Sequence, residues 1–259
     1  MVLSRVPPEQ ATEQGGRFAA LCAAMAQADM RFIVVDSIYD MPDEGPAAEF
    51  LRNIQGGLLL LGWHPARALK WSLARRGVQV AERTDRVQCL DVRSATPEEL
   101  ISQVGAILAG APILDALPAA PPTAETQSRW YPVIDYSLCT NCMECLNFCL
   151  FGVFGVDAQE RLRVVSPEQC RQDCPACARV CPTGAIIFPK YKGDPAIAGA
   201  EPAATGGVRK LDLSGLFGKP KDRQQAARER DSALLKSGRG PAETDKVERL
   251  AREFEGLDL

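Results

Sequence analysis

Several features are scarce or missing in this 259-residue sequence, and each absence removes a class of function. No Walker motif and no Gly-x-Gly-x-x-Gly motif occurs, so there is no recognisable loop for a flavin or nicotinamide nucleotide. No apolar run approaches the length of a bilayer-spanning helix, so we expect no membrane span. Lys and Arg number 30 against 33 Asp and Glu, and this formal net charge of −3 disfavours a nucleic-acid partner.

Cysteine, in contrast, is abundant and concentrated. Eight of the ten cysteines form two runs, Cys139-x2-Cys142-x2-Cys145-x3-Cys149 and Cys170-x3-Cys174-x2-Cys177-x3-Cys181-Pro182. Gaps of two residues let successive thiolates of one loop point into the same small volume, as an iron–sulfur cluster requires. The two runs therefore predict two iron–sulfur clusters. The remaining two, Cys22 and Cys89, lie far from both runs and are expected to be small buried apolar residues.

Other uses of dense cysteines fit the spacing less well. A structural zinc site takes four ligands, and a third cysteine three residues after the second overfills it. A disulfide framework belongs to small secreted scaffolds, and no apolar leader follows Met1. Covalent haem attachment needs a histidine directly after a Cys-x-x-Cys pair, and the single histidine is His64. Unligated thiols and iron–sulfur clusters both require a reducing compartment, so a cytoplasmic location is expected.

The stretch Tyr131–Pro189 resembles the bacterial-type ferredoxin domain with two [4Fe–4S] clusters. Besides the two cysteine runs, it contains Val133-Ile134-Asp135 before the first run and Pro182-Thr183-Gly184-Ala185-Ile186-Ile187 after the second. It departs from the family pattern at Leu150, where proline is usual, and in the three-residue gap after Cys170.

This resemblance implies that the last cysteine of each run ligates the cluster of the other run. The implied ligands of one [4Fe–4S] cluster are Cys139, Cys142, Cys145 and Cys181. Those of the other are Cys149, Cys170, Cys174 and Cys177. The gap between Cys170 and Cys174 is one residue longer than in the family pattern, so Cys170 is the ligand of this set that departs from the usual spacing.

Proline-rich stretches divide the chain into units. We predict an α/β domain over residues 1–117, a linker over 118–128, the two-cluster ferredoxin-like module over 129–192, and a flexible linker with a charged helical tail over 193–259. In the tail, residues 243–255 have an amphipathic helical pattern and are predicted to dock on the protein body or on a redox partner.

The first unit alternates helix and strand signals. Helices are predicted at 17–28, 47–54, 65–76 and 97–108, and strands at 31–35, 57–61 and 87–92. Continuous apolar strands separated by helices indicate parallel pairing with both sheet faces covered, hence a small three-layer α/β domain.

Ligands of such sheets usually bind beyond the carboxyl ends of the strands. There the chain has Asp36, Asp40 and Asp43 after one strand and Trp63 with His64 after the next. We expect solvated loop carboxylates and a histidine at a helix entry. A metal or phosphate-ester site built from these residues is the alternative.

Together these features predict an electron-transfer protein without a catalytic residue of its own, which relays single electrons to or from a partner oxidoreductase. Two alternatives stay open. The α/β domain could be catalytic, which would make the protein an iron–sulfur reductase. The clusters could instead be structural, holding together an assembly or interaction protein.

Overall fold

A computed structural model describes residues 1–80, 86–109, 118–123, 126–201 and 225–232. The predicted tail helix at residues 243–255 lies outside this described part. None of the helices in the described ranges has the length and apolar character that crossing a bilayer requires.

The N-terminal domain is built on one parallel sheet of four strands. The strands are β1 (Val2–Ser4), β2 (Ile33–Val35), β3 (Leu58–Gly62) and β4 (Val87–Asp91). Their order in the sheet is β2-β1-β3-β4, and every neighbouring pair is parallel. All five residues of β3 are buried, as expected for a strand that is covered on both faces.

Four helices cover this sheet. They are α1 (Ala11–Gln27), α2 (Pro46–Asn53), α3 (Ala66–Arg75) and α4 (Pro97–Leu108). Side chains of α1 and α4 pack on one face with Leu3, Leu59 and Leu61, whereas those of α2 and α3 pack on the other with Val2 and Leu60. The predicted three-layer arrangement with a parallel sheet is therefore confirmed.

Strand β1 was not predicted, although it lies at the centre of the sheet. Only three residues long, Val2–Ser4 is too short to show a periodic pattern. It is recognised only through its partners, because Val2 pairs with Ile33 on one side and with Leu60 on the other.

The cysteine-rich module, here residues 129–201, consists of short elements. Its strands are β5 (Val133–Ile134), β6 (Phe154–Val156), β7 (Leu162–Val164) and β8 (Ile186–Ile187), and its helices are α5 (Glu144–Phe148), α6 (Ala176–Val180) and α7 (Pro195–Ala198). Strands β5 and β8 pair antiparallel, as do β6 and β7. The prediction of a flexible stretch from Gly193 onward is wrong for residues 193–201, because α7 packs there through the buried Ile197.

The N-terminal domain and the cysteine-rich module share an apolar core. Tyr131, Val133 and Ile187 of the module are buried in the same cluster as the α2 and α3 side of the sheet. A further helix, α8 (residues 225–232), lies against the module through Ala226, which is fully buried. The shared core therefore fixes the module against the sheet domain, in addition to the covalent connection between them.

Candidate functional site

Two cavities lie inside the cysteine-rich module, and each is lined by four cysteines. The first cavity is lined by Cys139, Cys142, Cys145 and Cys181. The second cavity is lined by Cys149, Cys170, Cys174 and Cys177. Each set thus takes three cysteines from one run and one from the other.

Helices α5 and α6 explain how one run reaches both cavities. Helix α5 contains Cys145 and ends directly before Cys149, which lines the other cavity. Helix α6 repeats this arrangement with Cys177 and Cys181. Because the two helices pack against each other, the cysteine after each one arrives beside the neighbouring loop.

The first cysteine loop turns sharply by means of two residues in the left-handed region. Asn141 and Met143, which flank Cys142, have φ values of 60° and 62°. Such conformations are unfavourable for residues with a Cβ and persist where the surrounding structure imposes them, often at functional sites. Here they wrap the loop around the first cavity.

In the second run, the longer loop still brings its first cysteine to the cavity. Cys170 follows a 3-10 turn at Pro167–Gln169, and Asp173 adopts a left-handed conformation with φ 58°. The extra residue is therefore absorbed in the turn before Cys174. Cys170 lines the second cavity together with the other three cysteines of its set.

Burial makes the most enclosed of these thiols resist deprotonation. Desolvation first, and then the neighbouring sulfurs, raises the pKa of Cys145 to about 12. The same two causes raise the pKa of Cys170 and Cys177. A thiolate is the form that binds metal, and a strongly positive group favours the ionisation of such buried thiols. A donor set of four cysteines is what an iron–sulfur core takes.

Backbone amides act on several of the cysteine sulfurs. The backbone amide of Ala185 donates to Cys181 Sγ at 3.3 Å, and the amides of Asn141, Leu146 and Ala176 act to lower the pKa of Cys139, Cys145 and Cys174. Such bonds stabilise negative charge on sulfur. Within the described ranges, no three His, Cys, Asp or Glu side chains lie close enough together to hold a single metal ion. The sulfurs lie instead on the walls of the two cavities.

Apolar side chains shield the second cavity more than the first. Phe148, Phe151 and Phe154 line the second cavity, and Ile186 lines the first. Ile187 points away from both, into the core shared with the N-terminal domain. Leu150, which stands where the ferredoxin pattern usually has proline, lines the second cavity and is 60% exposed.

The expectation of solvated carboxylates after β2 is wrong for Asp36 and Asp40, both of which are buried. Asp40 accepts hydrogen bonds from Lys190 Nζ at 2.5 Å and from Ser37 Oγ at 2.7 Å. Asp43 is half-buried and is bound by the guanidinium of Arg75 at 2.6 Å. These contacts hold the carboxylates inside the protein, where a solvated loop was expected.

Trp63 and His64 are buried as well. The indole Nε1 of Trp63 donates to the carbonyl of Ser4 at 2.9 Å, which ties β3 to the central strand. His64 packs against the ring of Tyr39, with ring centroids 5.7 Å apart. The predicted position of the histidine just before a helix is confirmed, because α3 begins two residues later.

The region beyond the carboxyl ends of the strands is covered by the cysteine-rich module. Tyr39 and Tyr131 stack with centroids 4.4 Å apart, and the Tyr39 hydroxyl donates to the Tyr131 carbonyl. Lys190, in the C-terminal part of the module, pairs with Asp40. Sequence reasoning missed this interface, because its partners are separated by 92 and 150 residues.

Comparison with known proteins assigns part of the chain. Two uncharacterised ferredoxins of Methanocaldococcus jannaschii are similar to it. One is 46% identical over 65 residues, which are 24% of this chain and 43% of that protein. The other is 44% identical over 55 residues, which are 20% of this chain and 86% of that protein. The chain belongs to the ferredoxins through this segment.

The ferredoxin similarity is limited in extent. The chain spans less than half the length of the first relative and most of the second. No protein-family model matches the chain. No solved structure matches it.

Proposed function

We propose that this protein binds two [4Fe–4S] clusters and relays single electrons to or from a partner oxidoreductase. The observation that carries the proposal is the lining of each of two cavities in the cysteine-rich module by four cysteines. Similarity to ferredoxins agrees with it. The proposed location is the cytoplasm, because thiols and clusters need a reducing compartment.

In this proposal the ligands are exchanged between the two runs. Cys139, Cys142, Cys145 and Cys181 would hold the cluster of the first cavity. Cys149, Cys170, Cys174 and Cys177 would hold that of the second. Helices α5 and α6 would then each connect both clusters, since each carries a ligand of one and is followed by a ligand of the other.

The chain supplies the surroundings that set the properties of such clusters. A [4Fe–4S] cluster takes up and releases one electron, and its potential depends on sulfur hydrogen bonds, burial and local charge. Amides such as that of Ala185, which lies 3.3 Å from Cys181 Sγ, stabilise negative charge on the ligands. The three phenylalanines of the second cavity exclude water, which opposes the addition of negative charge.

Metal analysis tests the number and type of clusters. Anaerobically purified protein should contain about eight iron and eight sulfide per chain, because eight thiolates satisfy two cubane clusters. Iron and acid-labile sulfide are measured chemically and normalised to protein by amino-acid analysis. About four iron per chain, or stoichiometric zinc without sulfide, would contradict the proposal.

A pair of cysteine variants tests the exchange of ligands. Cys181→Ala should damage the cluster held by the first run and leave the other in place, whereas Cys149→Ala should do the reverse. Electron paramagnetic resonance of the reduced variants distinguishes the two clusters. Loss of the cluster held by Cys174 and Cys177 in the Cys181→Ala variant would show that ligands are not exchanged. Cys22→Ala is the matched control, because Cys22 lies in the N-terminal domain and belongs to neither set. This variant should leave both signals unchanged.

A further inference from the structure

The two cavities differ in the charge on their walls. Among the described residues that line the second cavity, Arg230 carries the sole charge. Among those that line the first cavity, the charged side chain is Glu144. One four-cysteine cavity therefore has a cation in its wall and the other has a carboxylate.

Arg230 belongs to α8, which is anchored on the helix that carries Cys177. Ala226 is fully buried against Cys174, Ala176 and Val180. One turn later, Glu229 pairs with Arg179 of α6 at 3.4 Å, and both side chains are mostly buried. An apolar contact and an ion pair on the same face of α8 thus fix its position over the second cavity.

The guanidinium of Arg230 is held close to the cavity. Its Cζ lies 4.9 Å from the ring centroid of Phe148, a residue that also lines the second cavity. Its Nε donates to Asp231 at 3.1 Å, but the Asp231 side chain is 59% exposed whereas that of Arg230 is 22% exposed. Glu229, which pairs with Arg179, and Asp231 place carboxylates on α8 as well, but of these three side chains Arg230 is the one that lines the cavity.

We propose that the charge of Arg230 raises the reduction potential of the cluster in the second cavity. This inference rests on the proposed function, because it concerns the cluster held by Cys149, Cys170, Cys174 and Cys177. Arg230 would stabilise the reduced, more negative form of that cluster. Helix α8 is the element that brings the charge there from a distant part of the sequence.

The physical argument is electrostatic. A [4Fe–4S] core of charge 2+ with four thiolates carries a net charge of 2−, and one electron from an external reductant changes this to 3−. A fixed cation at the cavity wall favours the more negative form. Water is largely excluded on this side by the three phenylalanines, so the attraction is screened less than at the surface. The first cavity receives the opposite contribution from Glu144.

The test is a redox titration of the cluster-loaded protein, followed by electron paramagnetic resonance. Arg230→Gln should weaken the electron affinity of the second-cavity cluster on the order of tenfold, which is about 59 mV for a one-electron couple. Arg230→Lys, which keeps the charge, should restore most of the shift. The Cys181→Ala background, in which the first-cavity cluster is damaged, assigns the shifted signal to the second cavity.

Arg228→Gln is the matched control, because it removes the same charge from the exposed side of α8. In the Arg228→Gln variant, the reduction potentials of both clusters should change by only a fraction of the shift that Arg230→Gln causes. Equal shifts in the two Gln variants, or no shift in Arg230→Gln with both clusters intact by iron and sulfide analysis, would overturn this inference alone. Absence of clusters from the wild-type protein would overturn the proposed function, and this inference with it.

Discussion

At the scale of single residues, His64 shows how strongly the fold changes the chemistry of a side chain. It is 2% exposed, and its Nε2 finds no hydrogen-bond partner within the described part of the chain. Burial first, and then the positive charges of Arg93 and Lys190, lowers its pKa to about 3. The imidazole is therefore neutral at physiological pH and acts as a packing group.

This shift predicts a pH dependence of stability with a definite sign. Between about pH 6.5, where the unfolded histidine titrates, and about pH 3, the unfolded state binds a proton that the folded state does not. Stability should therefore fall as pH falls through this window, by up to about 1.4 kcal/mol per pH unit. Because the sequence has one histidine, the NMR signal of its imidazole is assigned without ambiguity. That signal should not titrate between about pH 8 and 5.

The His64→Phe variant provides the control. Its loss of thermal stability between about pH 7.5 and 5.5 should be smaller than that of the wild type, because no proton uptake remains at this site. A sigmoidal NMR titration with a midpoint near the ordinary histidine value would contradict the buried neutral form.

At the scale of elements, the helix ends carry much of the information. Helix α4 begins as predicted after Thr96, whose side chain accepts a hydrogen bond from the Glu99 amide while the Thr96 amide donates one to the Glu99 carboxylate. Such a capping box is a local signal that sequence reasoning can read. Helix α7 was missed because it has four residues, and its position depends on a close contact with α3.

That contact is made at Gly199, where α7 ends. Gly199 has φ +97°, and a Cβ there would lie 2.7 Å from Ala68 Cβ and 2.9 Å from Ile187 Cγ2. Gly199→Ala should therefore force α7 away from α3 and lower the thermal midpoint of the cluster-loaded protein by several degrees. This corresponds to about 1–3 kcal/mol of overpacking beyond the backbone term.

Gly56→Ala is the appropriate comparison. Gly56 also has a positive φ, +80°, but a Cβ there would meet nothing within 4 Å. The Gly56 variant should lose only the backbone contribution, about 1–2 kcal/mol. Equal losses of thermal midpoint for the two variants would show that the approach of α7 to α3 is not tightly packed.

At the scale of the whole molecule, a buried ion pair joins the N-terminal domain to the cysteine-rich module. Arg67 Nε of α3 lies 2.6 Å from the Asp135 carboxylate, and the two side chains are 6% and 3% exposed. Arg67 also donates to the Gly184 carbonyl at 2.7 Å, three residues after Cys181. The sheet domain thus contacts the loop that follows a proposed cluster ligand.

Removing one partner of this pair should be costly. Arg67→Ala should destabilise the cluster-loaded protein by about 3–5 kcal/mol, because it leaves the Asp135 carboxylate buried without its main partner. Thermal unfolding followed by circular dichroism measures the loss. Adding Asp135→Asn should recover part of the stability, since the unpaired charge is then removed.

The more exposed pair Arg93 and Asp91, with side chains 36% and 18% exposed, is the control. Arg93→Ala should change stability by about 0–1 kcal/mol. If Arg67→Ala were as mild as Arg93→Ala, the two units would not depend on the buried pair for their association.

The sequence by itself determined the features that depend on local spacing. Helix-period and strand-period patterns located the four helices and three of the four strands of the N-terminal domain within a few residues, apart from the first six residues of α1. The spacing of the eight cysteines predicted two iron–sulfur clusters, and the resemblance to two-cluster ferredoxins implied the two sets of four. Such signals are readable because they arise from residues close together along the chain.

Only the tertiary structure decided the features that depend on residues distant in the chain. It placed Val2–Ser4 at the centre of the sheet, buried Asp40 against Lys190, and docked α8 with Arg230 at the second cavity. No local pattern specifies these contacts, because their energies come from burial and pairing between segments that meet only in the folded chain. The cysteine spacing indicates what the protein can bind, whereas the folded chain sets the charge and packing around each site.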